Sequence, residues 1–108
     1  MTSAVIRRWE ASVDRADIDD WVETFRARVL LGMRAVEGFC GVSFLAKRDD
    51  DPCHVVVLTK WQDMASVTRF AGENAAKTVL PDFMARFFRT YDAEATFYDE
   101  VLREEANE

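Results

Sequence analysis

Two runs of strand-forming residues, Phe39 to Arg48 and Cys53 to Trp61, flank the tetrapeptide Asp49-Asp50-Asp51-Pro52. A proline inside a charged cluster stops a strand and turns the chain, so this stretch predicts an antiparallel hairpin. With the turn centred on Asp50-Asp51, Cys40 faces Trp61 and Cys53 faces Arg48. Side chains alternate across a strand, which puts Val42, Phe44, Ala46, Val55, Val57, Thr59 and Trp61 on one face. Ser43, Leu45, Lys47, His54, Val56, Leu58 and Lys60 fall on the other, and a slip of one residue would exchange the two sets. The two cysteines sit at opposite ends, too far apart for an intrachain disulfide. His54 and Trp61 are roughly 23 Å apart along the strand and point to opposite faces, so they do not share one small site.

The rest of the chain is built around this hairpin. Val5 to Val13 reads as a first strand. After a cap at Asp14 or Asp17, the spacing of Ile18, Val22, Phe25, Val29, Met33 and Val36 predicts one long helix, stopped by Gly38. Asp63 caps a second helix with Met64, Val67, Phe70 and Ala71 on its inner face and Gly72 at its end. Residues 73–80 form a connector with partial helical character. Pro81 suits the first turn of a third helix, with a stripe of Met84, Phe87, Phe88 and Tyr91. Glu94 to Val101 reads as the last strand, and residues 103–108 as a mobile polar tail. The order β-α-β-β-α-(α)-β predicts an α+β protein with a ferredoxin-like βαββαβ topology. It would be one domain over residues 1–102, with an antiparallel sheet and helices on one face. The other face of the sheet needs a cover.

Composition narrows the partners. The chain has 108 residues, with 14 Lys plus Arg against 20 Asp plus Glu, for a net charge of −6. No basic run exceeds two residues, which argues against nucleic acid. No apolar stretch nears the ~20 residues that span a bilayer. The N-terminal residues lack a charged start followed by an apolar block, so no signal peptide is expected and the cytoplasm is the expected location. Two cysteines suit a reducing compartment. Eight Phe, three Trp, two Tyr and four Met make a heavy apolar load for so short a chain, and a homodimer is the expected way to bury it. Gly-rich nucleotide loops, the serine-hydrolase elbow and the zinc-protease helix motif are all missing from the sequence.

Several segments resemble the antibiotic biosynthesis monooxygenase family. They are Trp9, Gly38-Phe39, Leu58-Thr59-Lys60-Trp61-Gln62-Asp63, Phe70-Ala71-Gly72-Glu73 and Thr96-Phe97-Tyr98-Asp99-Glu100-Val101, together spanning about Ile6 to Val101. The resemblance implies a dimeric α+β barrel with a pocket between sheet and helices in each subunit. It also implies oxygenation of an easily ionised aromatic substrate without flavin, haem or metal. The substrate anion would supply the electrons, and the protein would exclude water, orient the ring and stabilise negative charge. A haem-degrading branch of the same superfamily uses an Asn on the first strand and a His after the second helix. Here residues 5–13 hold no Asn and residues 64–101 no His, a departure that argues against haem breakdown.

Four residues are candidates for the chemistry. Trp61 could wall an aromatic pocket with its indole N–H as donor, or simply fill the core. Tyr98, on the last strand, could line the same pocket as Trp9 on the first. Arg7 and Arg8 are adjacent, so one must point inward, where a guanidinium could hold a phenolate or carboxylate or else form an ion pair. His54, the single histidine, could act as a base, although its place beside the turn also fits a solvated histidine. Trp9, Phe44 and Phe70 are the expected pocket walls. Tyr91 reads as core, Glu73 as solvated, and Cys40 and Cys53 as small strand residues without metal-ligand spacing. Two functions follow: a cofactor-independent monooxygenase acting on a small aromatic or polycyclic compound, or a non-catalytic small-molecule-binding or stress-associated barrel.

Overall fold

The computed structural model describes residues 4–106. Asn107 and Glu108 of the expected tail, and Met1 to Ser3 of the expected leaderless start, lie outside the described residues. Strand β1 covers Val5–Val13, followed by helices α1 (Ile18–Arg28) and α2 (Leu30–Arg34). The hairpin strands are β2 (Phe39–Lys47) and β3 (Cys53–Trp61), and α3 covers Met64–Ala71. A short helix α4 (Asp82–Ala85) precedes β4 (Phe88–Tyr91) and β5 (Thr96–Asp99).

The sheet runs β2-β3-β1-β4, with β5 also paired to β1, and every pairing is antiparallel. This is the ferredoxin-like arrangement, with one variation. The position next to β1 is shared by two short strands, β5 against Val5–Arg8 and β4 against Ala11–Val13. The hairpin takes the expected register from Lys47↔His54 to Gly41↔Lys60. A bulge then sets Phe39, not Cys40, opposite Trp61. Extra residues at the end of an edge strand are absorbed in this way, and here the side chain placed in the core is an aromatic ring.

Alternation along β1 is strict, with Val5, Arg7, Trp9, Ala11 and Val13 buried and the residues between them less so. The inner face meets α1, where Trp21 stacks on Phe44 with centroids 4.4 Å apart, and Phe25 packs against the same ring. The expected single helix from Ile18 to Val36 is broken at Val29, whose φ of −119° lies outside the helical well. The β-branched Val29 is stiff, and Gly32 weakens the segment beyond it. Amide bonds from Val29 to Phe25 and from Met33 to Val29 carry the chain through the bend, and Met33 still reaches the core.

The expectation for residues 81–91 is corrected. Only Asp82–Ala85 is helical; Phe88 to Tyr91 form strand β4, and Tyr91 is half exposed rather than core. The last strand is also shorter than expected, Thr96–Asp99, with Lys77 and Glu94 joined by an isolated bridge before it.

A side-chain cap and one close approach set the start of α3. Ser66 donates its amide and its hydroxyl to the Asp63 carboxylate, at 2.9 and 2.7 Å. Gly38 has φ +93°, and a Cβ there would lie 1.9 Å from the Ser66 hydroxyl oxygen, so glycine is required both by the backbone and by the neighbour.

Candidate functional site

Parity along β1 decides which arginine enters the core. Arg7 pairs with Thr59 across the β1–β3 ladder on the inner face, while Arg8 points outward to Glu10. Arg7 is only 6% exposed. Its Nε donates to the Ala75 carbonyl at 3.3 Å and its Nη2 to the Lys77 carbonyl at 2.8 Å. Both acceptors are neutral, and burial pulls the guanidinium below its ordinary value. An arginine so placed still keeps its charge.

The next inward residue, Trp9, donates its indole N–H to the Thr78 hydroxyl at 3.0 Å and to the Asp92 carbonyl at 2.8 Å. Arg7 and Trp9 thereby fasten the connector between α3 and α4 across one end of the inner face. Beneath it lies a cavity of about 100 Å³. Arg7, Trp9, Phe44, Phe70 and Thr59 line it from the sheet side and α3, with Trp21 and Met84 from the helices. Functional ligand pockets usually measure about 300–1,000 Å³, so this one is tight.

The candidate residues separate into three places. Arg7, Trp9, Phe44 and Phe70 meet around the cavity. Trp61 lies one layer behind, fully buried, stacked on Phe70 with centroids 5.1 Å apart and edge-on to Phe39. Its indole N–H reaches the cavity only through Thr59, donating to that hydroxyl at 2.8 Å. Tyr98 and His54 are on the opposite face of the sheet. The Ile6↔Tyr98 pairing turns Tyr98 outward, away from Trp9, which corrects the expectation that the two share a pocket. His54 donates to or pairs with Glu10 through Nε2 at 2.7 Å, beside a shallow hollow that also includes Ser12 and Tyr91.

Among the lining residues not named as site candidates from sequence, Trp21 and Thr59 matter most. Trp21 sits four residues before Phe25, a spacing that places both rings on one helix face. Thr59 is the inward neighbour of Trp61 two residues along the strand. Both positions were readable from period alone.

Cys40 is exposed and Cys53 buried, and they are not bonded to each other. Among the described residues, no group of three or more His, Cys, Asp or Glu side chains is placed to hold a metal ion. No helix of the described residues is long and apolar enough to cross a membrane.

A family model described as antibiotic biosynthesis monooxygenase matches residues 4–82. Solved structures agree at the level of fold. A provisionally named antibiotic biosynthesis monooxygenase from Bacillus cereus is 18% identical, with a TM-score of 0.68 over 98% of this chain and 99% of the other. The monooxygenase of the ActVA-Orf6 gene of Streptomyces coelicolor, solved with nanaomycin D, is 15% identical with a TM-score of 0.59, covering 99% and 93%. SnoaB, a cofactor-independent oxygenase of Streptomyces nogalater, is 21% identical with a TM-score of 0.56, covering 98% and 99%. No curated protein sequence matches the chain.

Proposed function

We propose, given that this chain belongs to the antibiotic biosynthesis monooxygenase family, that it oxygenates a small aromatic compound in the cavity between sheet and helices, using no flavin, haem or metal. In such a reaction the ionised substrate is the reductant. One ring C–H bond is replaced by a carbon–oxygen bond, the substrate loses two hydrogens in all (that one and the phenolic one), and the second oxygen atom leaves as water. The protein's task is then to keep water out, hold the ring, and stabilise the charge of the substrate anion.

The observation that carries this reading is a cavity walled by aromatic rings whose one charge is the Arg7 cation. Arg7 would meet the substrate oxyanion, and Thr59, oriented by Trp61, would donate beside it. Trp9, Phe44 and Phe70 would hold the ring. His54 and Tyr98 would take part in a site only if a second copy brought its own outer face to it. A homodimer fits the outer face, where Ile6, Leu45, Val56, Leu58 and Tyr98 form a patch crossed by the Arg8–Glu10, His54–Glu10 and Lys60–Glu100 pairs.

Oxygen uptake by the purified protein with a panel of one-ring quinol and catechol substrates tests the proposal. Uptake that falls at least tenfold in Trp61→Phe and in Thr59→Val is expected; absence of uptake across the panel would count against it. The second reading, a binding protein without turnover, is favoured by one observation: no carboxylate or imidazole lines the cavity to act as base. It predicts a ligand-dependent rise in Tm with no product by mass spectrometry.

A further inference from the structure

We infer that the cavity selects a one-ring aromatic anion, recognised by Arg7 and Thr59 as paired donors; this rests on the proposal that the cavity is the site. Three observations carry it.

The first concerns charge. Arg7 is more than nine-tenths buried and is the sole charged side chain lining the cavity. Among the described residues it has no carboxylate partner. Two of its nitrogens are held by neutral carbonyls, and Nη1, which is not among the fully buried atoms, has no acceptor among the described residues. A buried cation without a counter-charge is costly in isolation, and an anion entering from solvent supplies what the chain leaves out.

The second concerns hydrogen-bond polarity. Thr59 Oγ1 already accepts from Trp61, so its own hydroxyl hydrogen is left to donate, and it has no acceptor among the described residues. Arg7 and Thr59 are direct neighbours across the ladder, a distance at which facing side chains reach one atom group. The Trp9 indole, the other polar group on this wall, is spent on Thr78 and Asp92. The uncommitted polar groups are therefore donors, which suits a phenolate or carboxylate and leaves a neutral donor such as an amide N–H unmet.

The third concerns size. An apolar cavity of about 150 Å³ accommodates benzene. At about 100 Å³, one ring is the ceiling, reached by small adjustments of the lining, and a fused ring system would displace the connector.

Calorimetric titration with benzoate, its neutral isostere benzamide and 2-naphthoate tests this on the intact protein. Benzoate is expected to bind at least about tenfold tighter than benzamide, and tighter than 2-naphthoate. Arg7→Gln should bring benzoate and benzamide to parity, Arg7→Lys should keep part of the preference, and Thr59→Val should weaken benzoate several-fold with little effect on benzamide. The wild-type comparison does not depend on any variant folding. Equal or tighter binding of benzamide, no saturable binding of any of the three, or a folded Arg7→Gln that keeps the preference would overturn the inference. Tight 2-naphthoate binding would overturn its one-ring limit. None of these probes needs turnover, so the outcome separates from the oxygenase proposal. Benzoate preference without oxygen uptake on any substrate would leave the inference standing and remove the oxygenase. Uptake on quinols without any preference for anions would do the reverse.

Discussion

At the scale of single residues, alternation does most of the sorting. Arg7 and Arg8 are chemically identical, and strand parity sends one to a neutral, buried cradle and the other to a surface ion pair. That much was legible once β1 was recognised; which of the two faces was inner depended on where the helices lay. Trp21 shows the opposite case. It was hidden by a stripe counted from Ile18 and Val22, although its offset from Phe25 marked it. Replacing it with Ala removes the ring stacked on Phe44 and should cost about 3–5 kcal/mol, read from the urea midpoint. Gly38→Ala combines a positive φ with the clash on Ser66, and a loss of at least about 2 kcal/mol is expected in the same assay. The two carboxylates that accept charged or capping hydrogen bonds predict an acid limit. The Arg89 guanidinium, bonded at 2.6 and 3.0 Å, holds Asp14 below its ordinary range, and the Ser66 hydroxyl and amide do the same for Asp63. Each folded value lies below the unfolded one, so the stabilisation is complete above about pH 4 and disappears as pH falls through the folded value. Asp63→Asn and Asp14→Asn should each flatten the acid limb of a Tm-against-pH curve, and an unchanged limb would assign acid sensitivity to other groups.

At the scale of elements, what was legible depended on length and capping. The hairpin and α3 have unambiguous punctuation, Asp49-Asp50-Asp51-Pro52 in one case and Asp63 with Gly72 in the other. Residues 84–91 have none. Met84, Phe87, Phe88 and Tyr91 follow the i, i+3, i+4, i+7 spacing of a helix face, so period pointed to helix and the largely exposed strand β4 was not legible. The vacant edge of β1 decides it, and that edge is a tertiary feature. Sequence predicts partial helical character for the connector over the cavity, whereas the structure has no helix between Ala71 and Asp82, and sequence could not show what fastens it. Arg7, Trp9 and Thr78 do so, with Thr78 also donating to the Asp92 carbonyl. Thr78→Val should cost about 1 kcal/mol and speed hydrogen exchange at the Thr78 and Ala95 amides, which bond Ala93 and Ala76 across this region. Unaltered exchange would mean that the Arg7 bonds and the backbone bridges hold the connector without the Thr78 hydroxyl.

At the scale of the whole molecule, the two faces of the sheet have different fates. The inner face is closed by α1, α2 and α3. The outer face carries Leu45 and Tyr98 at about half exposure, amid three ion pairs. The proposed homodimer would cover this patch, and sedimentation should give twice the chain mass at micromolar concentration. Leu58→Lys, at the centre of the patch, is expected to yield the single-chain mass without loss of secondary structure. A wild-type protein that sediments as one chain would remove the dimer and any role for His54 and Tyr98 in a shared site.

Dividing the rank beside β1 between two abbreviated strands has a mechanical meaning. A continuous fourth strand would have to peel away as a unit. Here the stretch from Asp92 to Ala95 interrupts the rank, between the half lying against Ala11–Val13 and the half lying against Val5–Arg8. That interruption is itself tied down: the Asp92 carbonyl accepts from Trp9 and Thr78 and the Ala95 amide bonds Ala76, so the connector is stitched to the sheet where the two abbreviated strands meet.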